Sequence, residues 1–286
     1  MYSGLFIQEK EGNAMSLKGQ TIAAGGVKLN VVVEGKGPDV MLLHGFPDSA
    51  SLWRNQIPVL EDAGYRVIVP DLRGFGESDA PVGKKNYTID TIVKDVESVM
   101  DQTGTKKCWL VGHDWGAIIG WAFATSHPDR VERYVAISVG HPRAYSKAGI
   151  EQKLRAWYAV SFQFTGIAER VTRAHDWFIM RRLTNNHPEC KRWIEDMSRP
   201  GRLTAGMNWY RANLVRMLAG DFPNVKVPVL GIWSTGDIYL TERQMKDSAA
   251  YVDATWRYER IEGSSHWIPL DVPQRLNELL LDYLKV

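Results

Sequence analysis

The chain has 286 residues, long enough for one large domain or for a core with a smaller insertion. Hydrophobic residues make up 44% and charged residues 24%, the balance of a soluble globular protein, and no apolar run is long enough to span a bilayer. The net charge is +2 with Lys and Arg spread along the chain, so the basic stripe that nucleic acid needs is missing.

Residues 1–14 are polar and mixed, with no charged segment leading into an apolar one, and they read as an extension outside the fold. From Leu29 onward, short β-branched or apolar runs alternate with helical patterns, which predicts a largely parallel sheet flanked by helices. The expected strands are Leu29–Glu34, Val40–His44, Arg66–Pro70, Lys107–Val111, Arg133–Val139, Val227–Trp233 and Thr255–Ile261. Their continuous apolar character suits strands buried on both faces. Between them, Ile89, Ile92, Val93, Val96 and Met100 keep helical spacing. Leu276, Leu279, Leu280, Tyr283 and Leu284 do the same after Pro273, a residue suited to a first helical turn.

Residues 142–224 break this rhythm. They lose the strand pattern and become helical and rich in Arg, Trp and Asn, which predicts a helical cap inserted into a discontinuous core of residues 1–141 and 225–286. Such a lid implies a substrate cleft beneath it. The plainer alternative is a set of peripheral helices.

Chemistry enters at Lys107–Val111, which runs directly into Gly112-His113-Asp114-Trp115-Gly116 and then into an apolar helix. Strand, sharp turn and helix, with glycines two residues either side of a reactive side chain, is the pattern of a nucleophile elbow. The position usually held by Ser is Asp114 here. By itself the Asp reads equally as a helix N-cap. Farther along, Val227–Trp233 leads to Asp237, and Thr255–Ile261 leads to His266 in Gly263-Ser264-Ser265-His266-Trp267. Nucleophile, acid and histidine follow in the chain order of the α/β-hydrolase fold, each expected at the carboxyl edge of the sheet. Upstream, His44-Gly45-Phe46-Pro47 follows an early strand and can supply one oxyanion-hole N–H, from Phe46, with Trp115 supplying the second. Asp71-Leu72-Arg73-Gly74-Phe75-Gly76-Glu77-Ser78 reads as structural packing beneath the site. His113 and Asp48 are candidates to hold a hydrolytic water near His266; a buried His bonded to backbone and a turn-capping Asp are the plainer readings.

A carboxylate with a reference pKa of about 3.9 is ionised at neutral pH and needs no base before it attacks. It can displace a leaving group from saturated carbon, giving an alkyl-enzyme ester. His266, oriented by Asp237, then activates water against the carboxyl carbon of that ester. This logic argues against ordinary esterase activity. Two leaving groups fit, a halide or the oxygen of an epoxide, and the second needs a proton donor such as a phenol.

From about Leu29 to the C-terminus the chain resembles the epoxide hydrolases of the α/β-hydrolase superfamily. His44-Gly45-Phe46-Pro47 looks like that family's oxyanion motif and His113-Asp114-Trp115-Gly116-Ala117 like its nucleophile motif. The resemblance implies two lid tyrosines that bind and protonate the epoxide oxygen. Tyr158, followed by Phe162-Gln163, and Tyr210, in Asn208-Trp209-Tyr210-Arg211, match those contexts. Tyr134 and Tyr145 are expected to pack in the core.

Haloalkane dehalogenases share the Asp elbow and the Trp after it, yet usually place a side-chain donor where this chain has Phe46. Fluoroacetate dehalogenases resemble the oxyanion loop but generally carry Arg where this chain has Trp115. A non-catalytic small-molecule receptor is the remaining alternative, although it would need none of these residues. The expected partners are a small hydrophobic epoxide and water, with neither nucleic acid nor membrane, no cofactor and no metal. Trp53, Trp115, Phe162, Trp209 and Trp267 are candidates for an aromatic pocket wall. Cys108 and Cys190, the only cysteines, lack metal-ligand spacing and fit a reducing compartment, so the expected location is cytoplasmic. Detoxification and a homodimer are both compatible with the sequence.

Overall fold

The computed structural model describes residue 17 and residues 19–285; the expected extension at residues 1–14 lies outside the described residues. Eight strands form one sheet: β1 (Gln20–Ala24), β2 (Val27–Gly35), β3 (Asp39–Leu43), β4 (Arg66–Pro70), β5 (Cys108–His113), β6 (Val131–Ile137), β7 (Val229–Ser234) and β8 (Trp256–Ile261). Their spatial order is β1-β2-β4-β3-β5-β6-β7-β8. β2 runs antiparallel to both β1 and β4, and every other pairing is parallel.

The sequence pattern did not signal β1. It is an edge strand with Gln20, Thr21 and Ala23 exposed, so it carries little apolar character. The turn joining it to β2 is Gly25-Gly26, both at positive φ (52° and 82°), a hairpin geometry that glycine adopts at no steric cost. The central strands are apolar throughout because helices cover both faces: Val40, Met41, Leu42 and Leu43 of β3 are all 0% exposed.

The helices of the sheet layer are α1 (Ile57–Asp62), α2 (Ile89–Gln102) and α3 (Trp115–Ser126). α2 follows the expected spacing and buries Ile89, Ile92, Val93, Val96, Val99 and Met100, while Thr88 caps its first turn by accepting from the Thr91 N–H at 3.3 Å. α3 is buried from Trp115 to Ala124 and shows no polar face, as befits a helix enclosed on all sides.

Between β6 and β7 the chain leaves the sheet for six helices: α4 (Pro142–Lys147), α5 (Ile150–Arg155), α6 (Trp157–Ser161), α7 (Ile167–Leu183, interrupted by non-helical backbone at Ala174–Trp177), α8 (Cys190–Ser198) and α9 (Arg202–Ala219). α9 is the inner member, burying Trp209 completely. The Trp209 indole N–H donates to the Arg73 carbonyl at 3.2 Å, and Asn213 bonds the backbone of Ile89 and Tyr87. Arg211 then joins α9 to the outer helices: its guanidinium donates to both Glu169 carboxylate oxygens (2.7 and 3.0 Å) and to the Phe162 carbonyl (2.7 Å). The core resumes with β7, followed by α10 (Glu242–Lys246), β8, α11 (Ile268–Asp271) and α12 (Pro273–Leu284). α12 buries Leu276, Leu279, Leu280, Tyr283 and Leu284, the residues its spacing indicated.

Candidate active site

Asp114 stands on the turn from β5 into α3 with φ 54° and ψ −122°, a left-handed conformation that only tight packing sustains in a non-glycine residue. That packing needs glycine at two neighbours. A Cβ on Gly116 would lie 2.2 Å from the Leu43 carbonyl oxygen, and one on Gly45 would lie 2.3 Å from Asp114 Oδ1. Because Gly45 permits this approach, the Phe46 N–H reaches Asp114 Oδ1 at 2.8 Å, and the Trp115 N–H bonds the same carboxylate. The two amides expected to form an oxyanion hole therefore converge on the Asp114 carboxyl group.

On the other side, His266 Nε2 lies 3.5 Å from Asp114 Oδ2. Its Nδ1–H donates to Asp237 Oδ2 at 2.7 Å, which leaves Nε2 to face the carboxylate. Asp237 is fixed by the Tyr239 and Leu240 N–H groups, which donate to its Oδ1 at 2.8 and 2.9 Å. The three residues lie at the carboxyl ends of β5, β7 and β8, where parallel sheets build sites.

Burial opposes charge on His266, but the Asp237 carboxylate and the hydrogen bonds to Asp114 and Asp237 outweigh it and hold the imidazole up at about 10. Burial likewise opposes charge on Asp114, where the hydrogen bond and charge of His266 prevail and keep the carboxyl below its ordinary range. Both shifts favour the charged pair, an imidazolium facing the Asp114 carboxylate.

A cavity of about 190 Å³ opens above Asp114, bounded by Trp115, Tyr145, Tyr158, Tyr210, Tyr239 and His266 among others. Tyr158 on α6 and Tyr210 on α9 approach edge to face, with ring centroids 5.7 Å apart. Burial pushes both phenols well above 10, and the Asp114 charge and neighbouring phenols add to this at both. Both are therefore protonated donors. The Trp115 indole also lines this cavity and meets the Tyr210 ring edge to face, with centroids 5.1 Å apart.

Several residues stand elsewhere than the sequence suggested. Asp48 is turned away from His266, with all its acceptor capacity occupied: Arg192 binds it through two bonds of 2.9 Å, and the Trp193 indole N–H and Ser49 N–H add bonds of 2.8 Å each. It ties α8 to the oxyanion loop. His113 lies beside His266 but its Nε2–H is committed to the His266 carbonyl at 2.9 Å; burial, then the His266 charge, lower it to about 4 and keep it neutral. Trp53 and Trp209 are core residues, whereas Trp115, Phe162 and Trp267 do border the site. Tyr134 packs as expected, its hydroxyl on the Ala117 carbonyl at 2.6 Å. Tyr145 instead faces the cavity from α4. Tyr239, two residues beyond Asp237, also lines it; its position just past a strand end with an acid was the signal available. Asp71 is structural, accepting from the Ala50 and Glu77 N–H groups and the Asn30 amide at 2.7–2.9 Å.

Among the described residues no group of three or more His, Cys, Asp or Glu side chains is arranged to hold a metal ion, and no helix is long and apolar enough to cross a membrane.

Residues 38–273 match the family model described as alpha/beta hydrolase fold. The AB hydrolase superfamily protein YfhM of Bacillus subtilis is 34% identical over 94% of this chain and 98% of its own length. Epoxide hydrolase A of Mycobacterium tuberculosis is 32% identical, with 91% and 94% covered. Among solved structures, a variant of an epoxide hydrolase from Bacillus megaterium superposes with a TM-score of 0.84 at 27% identity, over 93% of this chain and 99% of that one.

Proposed function

The chain belongs to the epoxide hydrolases of the α/β-hydrolase superfamily, and from that premise we propose that it adds water to a small hydrophobic epoxide to give a vicinal diol, with Asp114 as nucleophile. The observation that carries this reading is the pair of buried, protonated phenols standing across one cavity from an ionised carboxylate that is itself held by two backbone amides.

In the first step, Asp114 Oδ2 attacks a ring carbon, the carbon–oxygen bond of the epoxide breaks, and the alkoxide takes a proton from Tyr158 or Tyr210. The product is an ester on Asp114. Its formation removes the Asp114 charge, one of the forces holding His266 protonated, so the imidazolium gives up its proton to the tyrosinate and becomes the neutral base the second step requires. His266 Nε2 then takes a proton from water as the water oxygen bonds to the carboxyl carbon, and the Phe46 and Trp115 amides hold the oxyanion. Collapse breaks the bond from the carboxyl carbon to the ester oxygen and releases the diol. The proton on His266 passes to the leaving oxygen and the carboxyl proton passes to His266, which restores the carboxylate and the imidazolium.

Residues 142–224 serve in this reading as a cap that carries the proton donors and excludes water from the epoxide. Cys108 and Cys190, both buried free thiols, fit a cytoplasmic enzyme, and the apolar cavity fits a detoxification role.

The test is His266→Ala incubated with styrene oxide and examined by intact mass spectrometry. One substrate mass on Asp114, with no diol, is the expected result. An unmodified and inactive protein sinks the two-step reading, and bromide release from 1-bromobutane without diol from styrene oxide by the unsubstituted enzyme moves the chain to halide chemistry.

A further inference from the structure

Beyond the main cavity the site has a second, smaller chamber of about 30 Å³, and Tyr158 and Tyr210 border both spaces. Asp114 and His266 also border both. Tyr239 borders both as well, and Phe46, Phe162 and Trp267 are among the residues that complete the small chamber. Its volume suits one or two water molecules and no organic substrate.

Two polar atoms of the residues that border it stand out. The Tyr239 hydroxyl and the Trp267 indole N–H are both buried, and neither has a hydrogen-bond partner among the described residues. Native proteins rarely leave buried donors in this condition without a functional reason. Both side chains are held in place by their surroundings. The Tyr239 N–H is fixed to Asp237 and its carbonyl accepts from Gln152 at 2.9 Å. The Tyr239 ring meets His266 edge to face at 5.2 Å, and Trp267 meets His266 at 5.3 Å. Of the two groups that the sequence offered for holding the hydrolytic water, Asp48 is taken by Arg192, and His113, which bonds the His266 carbonyl through Nε2 and leaves its buried Nδ1 without a partner among the described residues, does not border the chamber.

We propose that the small chamber is the binding site of the hydrolytic water, held by the Tyr239 hydroxyl and the Trp267 indole N–H against His266. The inference rests on the epoxide hydrolase reading and adds a division of labour to it. Substrate occupies the main cavity on one side of the two phenols and water waits on the other. Asp114, Tyr239 and His266 are shared. The water then passes its proton to His266 Nε2 and bonds through oxygen to the Asp114 carboxyl carbon, with no need to enter past bound substrate. Tyr239 accepts or donates a hydrogen bond throughout and undergoes no net proton change.

Tyr239→Phe removes the hydroxyl and keeps the ring, and Trp267→Phe removes the indole N–H while leaving a smaller aromatic ring. Each is mixed with styrene oxide in a rapid-quench experiment, and the alkyl-enzyme is followed by intact mass spectrometry. Formation of the ester should stay within about twofold of the unsubstituted enzyme, while its decay should slow about tenfold or more, the scale of one lost hydrogen bond. The ester should therefore accumulate, and kcat and KM should fall together with kcat/KM held. Unchanged decay in both variants overturns the proposal, as does slower formation with unchanged decay, which would put these groups on the substrate side. If one variant does not fold, the other decides. Failure of the unsubstituted enzyme to form any ester or diol counts against the epoxide hydrolase reading itself, a result separate from either outcome in the variants.

Discussion

At the sheet edge, Asp114 is gripped by the Phe46 and Trp115 amides and Asp237 by the Tyr239 and Leu240 amides, so backbone sets the geometry. Across the cavity, Tyr158 and Tyr210 stand on helices joined to one another and to the core by long side chains: Arg211 to Glu169 and Phe162, Arg155 to the Asp237 carbonyl, and Arg192 to Asp48. The sheet edge is rigid by construction, whereas the inserted helices depend on a few ion pairs formed over large sequence separations. A site divided in this way can keep its carboxylates and imidazole while the inserted helices, and with them the cavity, are remodelled.

The largest effect should come from separating the two halves chemically. Tyr158→Phe combined with Tyr210→Phe removes both proton donors and leaves the sheet edge untouched, so the rate of ester formation in single-turnover experiments should fall by about 10²–10⁴-fold. If it does not, the inserted helices supply shape and not chemistry. Next, Arg211→Ala strands the buried Glu169 carboxylate, which its partner now holds down at about 2 against the effect of burial. Loss of one member of a buried pair costs about 3–5 kcal/mol. Hydrogen exchange should show that loss in α6, α7 and α9 while β5 and α3 stay protected; equal loss in both regions would mean that they unfold as one unit.

A third, smaller effect concerns the resting charge at the sheet edge. Asp114→Ala removes one of the two carboxylates facing His266, and imidazole NMR should find its pKa lowered from about 10 by about one unit or more. The sign is fixed by linkage. A folded value above the unfolded value of about 6.5 contributes stability that is complete below that pH and is lost as pH rises through about 10. The melting temperature of the unsubstituted enzyme should therefore decline across that window, and less steeply in Asp114→Ala. Smallest of all should be Arg216→Ala. Its 2.6 Å pair with Asp90 also joins the inserted helices to the core, but both partners are exposed, and about 0.2–1 kcal/mol is expected in chemical denaturation. A cost comparable to that of Arg211→Ala would show that exposed ties, too, fix the insertion.

The sequence by itself determined the elements whose signals are local. Apolar runs marked seven of the eight strands, and the Gly-flanked Asp114, with Asp237 and His266 after later strands, marked three residues that the fold brings together, because turn geometry and chain order are written in neighbouring residues. β1 escaped because an edge strand with three exposed side chains has no apolar run to announce it. What lay beyond reach was every contact set by side-chain direction across large separations. Tyr145 and Tyr134 are alike in sequence, yet one faces the cavity and the other bonds the Ala117 carbonyl. Asp48 and His113 sit beside the right motifs, yet Arg192 and the His266 carbonyl take them. Only the folding of α8 onto the oxyanion loop, and of the loop after β8 against the elbow, decides which polar groups are already satisfied and which, such as Tyr239 and Trp267, are left to face the reaction. Hydrogen-bond saturation is a property of three-dimensional neighbours, and a linear sequence does not record it.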